Sequence, residues 1–126
     1  MINEKDCIKF LSFPAAIIAT GLRGVIKDFV KRKMFDVIIT TCGTLDHDLA
    51  RSWKDYLQGD FALDDVMLEK EGFHRLGSVL VPKEAYGPLL EEKLAPFLQS
   101  AYKDGVKSLS SSELCRRLGK YVNNES

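Results

Sequence analysis

The first half of the chain alternates between strand-like and helix-like hydrophobic patterns. Residues 7–13 form a short aromatic and branched run that stops at Pro14, as a strand leaving a sheet does. Apolar residues then recur at helical spacing over residues 20–33, and a second apolar run follows at residues 36–41. The order strand, helix, strand, helix is typical of parallel βαβ units, whose buried strands have both faces covered by helices.

The second half of the sequence is less regular. Residues 63–71 predict a short helix, and residues 76–81 predict a third strand. Residues 86–102 carry a helical stripe, which Pro96 should break into two pieces. Residues 110–113 (Ser-Ser-Ser-Glu) have capping-box spacing for a last helix. The pattern therefore predicts one α/β domain.

Composition narrows the function classes. The chain has 18 Lys and Arg residues and 18 Asp and Glu residues, so it carries no net charge that would attract nucleic acid or an anionic membrane. The sequence has neither a membrane-spanning apolar stretch nor the apolar core of a signal peptide at its start. Its three cysteines form no CxxC pair, so we expect neither a disulfide framework nor a metal site. We expect a soluble cytoplasmic protein that recognises its ligand locally.

Small and ionisable residues cluster where the second predicted strand ends. Residues 40–48 (Thr-Thr-Cys-Gly-Thr-Leu-Asp-His-Asp) lie at the carboxyl end of a strand, the edge where open α/β sheets bind ligands. Thr41, Cys42 and Gly43 offer small side chains and free backbone N–H groups, a generic site for a phosphate. Residues 46–48 carry the carboxylates and imidazole that suit a ribose or a cationic amine.

Plainer interpretations of the same residues stay open. Asp46 and Asp48 are also favourable residues for the start of a helix, and a lone His47 is more often a satisfied histidine. Free cysteine usually behaves as a small buried hydrophobe, which is the first expectation for Cys42. A Cys42 nucleophile with His47 as base would make a cysteine hydrolase, but nothing in the sequence orients the imidazole.

The turn after the first predicted strand gives a second site of the same kind. It contains residues small enough to let a ligand approach the backbone: Ala15, Ala16, Ala19, Thr20 and Gly21. Without a GxGxxG motif the dinucleotide signal is weak, and a helix start packed under the sheet explains the turn equally well. Two such turns side by side would form a crevice.

Five groups of residues together carry a family resemblance. They are residues 10–13 with 19–24, residues 36–51, Tyr56 with residues 59–61, residues 72–82, and residues 112–114 with Leu118 and Gly119. In this order they resemble deoxyhypusine synthase, most closely its archaeal form, from about Asp6 to the carboxyl terminus.

The resemblance implies a three-layer Rossmann-like parallel sheet with flanking helices and NAD as the cofactor. It implies transfer of the aminobutyl group of spermidine to a lysine of the translation initiation factor 5A precursor, by way of a covalent imine on an enzyme lysine. It also implies a cytoplasmic homo- or hetero-oligomer, which in the family is a homotetramer.

Carried over position by position, the resemblance places NAD contacts on two stretches. The first is Ala15, Ala16, Ile17, Ile18 and Ala19, where eukaryotic members have more polar residues. Because these five side chains are apolar, contacts with NAD would have to come from backbone groups. The second is Thr41, Cys42 and Gly43. The acidic pair that eukaryotic members use for spermidine and cofactor falls on Asp46 and His47, so Asp46 is expected to anchor an ammonium group and His47 to contact amine or cofactor.

One part of the family pattern has no match in this sequence. The imine-forming lysine lies near a Ser-Trp-Gly-Lys-like motif beyond Ser126, and Trp53 is not followed by Gly-Lys. We therefore expect residues 1–126 to form a single partial Rossmann-like NAD-binding domain with no catalytic residue, inactive alone. The chain would be a truncated product, one half of a split enzyme, or a noncatalytic subunit of a full-length synthase. The alternative is a noncatalytic nucleotide- or protein-binding module.

Overall fold

A β–α–β–α unit forms the amino-terminal half of the computed structural model, which describes residues 2–125. Its elements are strand β1 (Phe10–Phe13), a wide helical turn (Ile18–Leu22), helix α1 (Arg23–Lys31), strand β2 (Val37–Thr40) and helix α2 (Gly43–Trp53). The two strands pair in parallel, with Phe10 opposite Val37 and Phe13 opposite Thr40. The predicted parallel βαβ order is confirmed, although both strands are shorter than their apolar runs.

The first helix begins later than its apolar spacing predicted. Gly21 lies inside the wide turn with a φ of 123°, a conformation that residues with a side chain rarely adopt. This left-handed residue interrupts the helix predicted over residues 20–33, so regular α1 begins at Arg23. The turn between β1 and α1 is consequently irregular, and two of its carbonyl groups, those of Ile18 and Ala19, accept hydrogen bonds from Arg51.

The second half contains an antiparallel sheet instead of a third parallel strand. Its elements are strand β3 (Leu57–Gln58), helix α3 (Asp65–Lys70), strand β4 (Phe73–Leu76) and strand β5 (Val79–Pro82), and the strand order is β3-β5-β4. The single strand predicted over residues 76–81 is wrong. Gly77, with a φ of 63°, reverses the chain inside that run, so its residues belong to two strands of a hairpin.

Helix α4 (Lys83–Lys103) is continuous, so the predicted break at Pro96 is also wrong. A proline removes one intrahelical hydrogen bond and crowds the preceding turn, at a cost of about 3 kcal/mol. The helix continues because its apolar face is held in the core by Phe97 and its neighbour Leu94. Helix α5 (Ser111–Glu125) starts as predicted, since Ser110 Oγ accepts a hydrogen bond from the Glu113 N–H at 3.3 Å.

The core lies between the carboxyl-terminal helices and α2. Leu49, Phe97 and Leu118 form its buried centre, one residue each from α2, α4 and α5. Trp53 packs against this centre, so the stripe predicted for α2 faces the interior. Among the residues that the structure describes, no helix combines the length and hydrophobicity needed to cross a bilayer.

One face of the parallel strands is open to solvent. Paired residues of parallel strands point to the same side, so Phe10, Val37 and Ile39 share a face. Phe10 is 60% exposed and Ile39 is 55% exposed. The expectation that helices cover both faces of the second strand is therefore not met within residues 2–125. Those residues form a two-stranded parallel sheet and a three-stranded antiparallel sheet, so the α/β class is established without the three-layer sheet.

Truncation of Phe97 tests whether the core holds α4 together across Pro96. Phe97 is 8% exposed whereas the adjacent Leu98 is 58% exposed, so the two residues form a matched pair. We expect Phe97→Ala to lower the free energy of unfolding by about 3 kcal/mol and Leu98→Ala by less than about 1 kcal/mol, measured by urea denaturation. Equal losses would contradict the described core.

Candidate functional site

The turns that follow β1 and β2 lie against each other at the carboxyl edge of the parallel strands. The Ala15 N–H donates to Thr41 Oγ1 at 3.2 Å, and Thr40 Oγ1 donates to the Phe13 carbonyl at 2.8 Å. A Cβ atom added at Gly43 would lie 2.9 Å from Ala15 Cβ, so only glycine allows this approach. The structure therefore brings together the two turns that the sequence singled out.

The second turn presents unsatisfied backbone donors. Thr41 and Cys42 are exposed, and no side chain caps the amino end of α2. Within residues 2–125, the N–H groups of Cys42 and Gly43 have no hydrogen-bond acceptor. Free N–H groups at a helix amino end favour an anionic ligand group. Ala16 is exposed on the neighbouring turn, so a ligand can reach the backbone there as well.

The end of the first turn is buried. Ile18 and Ala19 are each 2% exposed, and Ile17 is half-buried. Their side chains face the interior, so a ligand at the open edge would meet only backbone atoms of this stretch. The carbonyl groups of Ile18 and Ala19 accept hydrogen bonds from Arg51 Nη1 at 3.0 Å and 3.3 Å. Contact of these residues with NAD stays a prediction.

His47 lies in an aromatic cluster beneath the edge. It is 9% exposed, its Nδ1 atom is 2.8 Å from the Tyr56 hydroxyl oxygen, and its ring stacks on Tyr86 with centroids 4.8 Å apart. Burial lowers the pKa of His47, and the positive charge of Arg51 lowers it further, whereas the Asp46 carboxylate partly opposes the shift. The imidazole is therefore neutral at pH 7.

The antiparallel sheet places both tyrosines of this cluster. Tyr56 directly precedes β3, and Tyr86 lies in the first turn of α4, which follows β5 without a loop. Because β3 pairs with β5, the two phenols reach the same side of α2. Burial raises the pKa of Tyr56 to about 12, and burial also raises the pKa of Tyr86, to which the Asp46 charge contributes.

Asp46 is the carboxylate that the site keeps available. The Tyr86 hydroxyl donates to Asp46 Oδ2 at 3.4 Å, and Oδ1 accepts no hydrogen bond from the residues described. Asp46 and Tyr86 also stand at one end of an open groove of about 490 Å³ along α4. The groove continues past Glu91 over an apolar wall that includes Leu90 and Leu94.

Asp48 does not belong to the site. Its carboxylate pairs with Arg23 Nε, and Arg23 Nη2 also donates to the Asp48 carbonyl at 3.1 Å and to Ser52 Oγ at 2.7 Å. These bonds join α1 to α2 on the side away from the tyrosines. Asp48 therefore joins α1 to α2, a role different from the predicted helix start, since Asp46 is the acidic residue in the first turn of α2.

The cysteine hydrolase hypothesis finds no support in the geometry. Cys42 is exposed, so its expectation as a small buried residue is wrong. The Nδ1 atom of His47 is engaged by Tyr56, and among the described residues no hydrogen bond joins the imidazole to Cys42. A thiol without an oriented base is not an activated nucleophile.

Arg51, Tyr56 and Tyr86 complete the site, and no role in it was predicted for any of the three. Arg51 follows His47 by four residues and so shares its helix face, a relation that the sequence contains. Tyr86 is 40 residues from its partner Asp46, and no local pattern indicates that contact.

Comparisons with known proteins agree along the whole chain. Residues 1–126 match the family model for deoxyhypusine synthase. Relatives named probable deoxyhypusine synthase occur in Picrophilus torridus (55% identical over 126 residues, 100% of this chain and 40% of the relative), Thermoplasma acidophilum (49% over 123 residues, 98% and 39%) and Sulfolobus acidocaldarius (43% over 129 residues, 99% and 40%). The chain thus spans about 40% of the length of these curated relatives.

The contact between the two turns can be tested at Gly43. A methyl group there would press on Ala15, so we expect Gly43→Ala to lower the free energy of unfolding by about 1–3 kcal/mol. The double variant Ala15→Gly with Gly43→Ala should recover most of that loss. As a control, Gly119→Ala on open helix surface should be neutral or slightly stabilising. A neutral Gly43→Ala in urea denaturation would contradict the described approach.

The pKa of His47 predicts a pH dependence of stability. Its folded-state pKa is below the ordinary value of 6.5, so the unfolded chain takes up the proton first as the pH falls. The contribution of His47 to the free energy of unfolding should therefore be complete above pH 6.5, and it should decrease as the pH falls from 6.5 towards the folded-state pKa. Denaturant titrations across this window should show a smaller decrease for His47→Gln, while the exposed control His74→Gln retains it. Equal decreases in all three proteins would refute the assignment.

Proposed function

This chain belongs to the deoxyhypusine synthase family, and we propose that it forms part of an enzyme that transfers the aminobutyl group of spermidine to a lysine of the translation initiation factor 5A precursor. The observation that carries the proposal is the family match over residues 1–126. The family is one of transferases. The geometry supports the same conclusion, since both resemblance-derived NAD stretches meet at one sheet edge.

NAD would be held by the backbone of the two joined turns. The residues present fit such a ligand, because the N–H groups of Cys42 and Gly43 are unsatisfied and Ala16 and Thr41 are exposed beside them. When bound, NAD would supply the oxidising power for removal of a hydride from the polyamine. The chain's own contribution is to orient the cofactor through small residues that allow close approach.

Asp46 would anchor an ammonium group of spermidine. A polyamine alternates cationic nitrogens with methylene segments, and the groove along α4 has matching chemistry. The acidic residues of the groove are Asp46 and Glu91. Its apolar wall, which includes Leu90 and Leu94, lies between these two carboxylates and extends beyond them. Tyr86 holds one carboxylate oxygen of Asp46 and so fixes the orientation of the other. His47, buried and neutral, would support this arrangement from beneath, close to both cofactor and amine.

The parallel strands would be extended by further parts of the synthase. Phe10 and Ile39 leave an apolar face uncovered, and each strand of the parallel pair has an unpaired edge within residues 2–125. Curated relatives have about 60% of their length outside the match, so the family contains enough additional chain to supply strands and helices. We propose that this completion produces the three-layer Rossmann-like sheet, in a cytoplasmic oligomer that is tetrameric in the family.

The reactive lysine would come from that additional chain. Lys54, next to Trp53, donates to Glu84 Oε1 at 2.7 Å and lies outside the edge where the turns meet. This observation also favours a second candidate function, a noncatalytic nucleotide- or protein-binding subunit that assembles with a full-length synthase. The two candidates share the NAD site and differ in whether complementation restores turnover.

Calorimetry with NAD tests the proposal. The chain is titrated alone and after mixing with the portion of the Picrophilus torridus relative that lies outside the match. We expect NAD binding in the mixture, together with aminobutyl transfer to the factor precursor. Absence of NAD binding in the mixture would refute the cofactor site. Binding without transfer would select the noncatalytic subunit.

A variant pair tests the amine anchor in the same mixture. Asp46→Asn removes a charged partner of an ammonium group, so spermidine affinity should fall by about tenfold or more. Asp48→Asn is the matched control, because Asp48 lies two residues away and pairs with Arg23. Equal spermidine affinity in both variants would exclude Asp46 as the anchor.

A further inference from the structure

We propose that Arg51 is a positioning residue that holds the turn after β1 in the shape that receives the cofactor. This inference rests on the proposed function of that turn as an NAD contact. It goes further, because Arg51 has no part in either resemblance-derived NAD stretch. The assignment follows from two sets of contacts made by the guanidinium group and from the position of Arg51 on α2.

The first contacts are with the turn itself. Arg51 Nη1 donates to the carbonyls of both Ile18 and Ala19, at 3.0 Å and 3.3 Å. These carbonyls lie where the wide turn approaches Gly21, whose φ of 123° ends regular helical geometry. Gly21 departs from helical geometry inside this turn, and the guanidinium of Arg51 adds two charge-assisted hydrogen bonds to the turn's backbone from outside it.

The second contact is with the aromatic cluster. The guanidinium carbon lies 5.6 Å from the centre of the Tyr56 ring, within the range of a cation–π interaction. The Tyr56 hydroxyl in turn is hydrogen-bonded to His47, which stacks on Tyr86. Arg51 therefore joins the turn that would contact NAD to the cluster that supports Asp46.

The third relation is with the helix that carries the other turn. Arg51 and His47 are four residues apart on α2, and α2 begins at Gly43. Because one rigid helix carries both Arg51 and the second turn, a bond from Arg51 to the first turn helps to set the separation of the two turns, together with the Ala15 N–H bond to Thr41 Oγ1. Loss of that bond should loosen the first turn without displacing the second.

Arg23 provides a matched control of the same residue type. It also joins neighbouring elements to α2, through Asp48 and Ser52, and it is likewise partly exposed. Its bonds reach neither the carbonyls of the first turn nor the tyrosines. A role limited to stability predicts the same outcome for both arginines, whereas a positioning role separates them.

The test compares Arg51→Met, Arg51→Lys and Arg23→Met in the mixture with the remaining part of the synthase. NAD and spermidine affinities are measured by calorimetry, and thermal midpoints are measured for each chain. We expect Arg51→Met to weaken NAD binding by about tenfold or more and spermidine binding much less. Arg51→Lys should recover part of the loss, and Arg23→Met should keep NAD affinity within about twofold despite a similar midpoint decrease.

Two results would overturn the inference. One is unchanged NAD affinity in Arg51→Met, and the other is a loss of affinity that follows the thermal midpoint equally in both arginine variants. If Arg51→Met does not fold, Arg51→Lys is compared with Arg23→Lys on the same criteria. Absence of NAD binding by the unsubstituted chain in the mixture would refute the proposed function and this inference together, whereas binding unaffected at Arg51 would refute the inference alone.

Discussion

The packing of helix α2 determines the arrangement of the rest of the structure. One face of α2 contributes Leu49 to the core with Phe97 and Leu118, and another contributes His47 and Arg51 to the site. Because both faces belong to one rigid helix, burial of the core face also fixes the position of the site residues relative to the sheet edge. Helix α2 therefore carries residues of both the core and the candidate site.

Burial and charge divide the ionisable groups of the site by role. His47 is buried and the two phenols are half-buried, and all three remain uncharged at neutral pH, so they act through shape and hydrogen bonds. Asp46 lies at the rim of the groove, where a cation can reach its carboxylate, and the guanidinium of Arg51 donates to backbone carbonyls.

The parallel and antiparallel sheets have different relations to solvent and to the site. The parallel pair carries the candidate ligand turns, and its exposed Phe10 and Ile39 leave apolar surface without cover. The antiparallel sheet carries no candidate ligand residue but delivers Tyr56 and Tyr86 to α2. The chain belongs to the deoxyhypusine synthase family and spans about 40% of the length of its curated relatives, and its parallel strands leave an apolar face exposed.

The sequence by itself determined the features that depend on local chemistry. The hydrophobic period identifies the βαβα order, and residue size and charge identify the turn at residues 40–48. Both signals come from residues that are close together along the chain. The hairpin at Gly77, the continuity of α4 across Pro96, and the burial of His47 between two tyrosines were decided only by the tertiary structure. The last two depend on contacts between residues far apart in sequence, where the free energy of packing overrides the local preference. The hairpin follows from the φ of 63° at Gly77, a backbone conformation that the apolar run over residues 76–81 did not reveal.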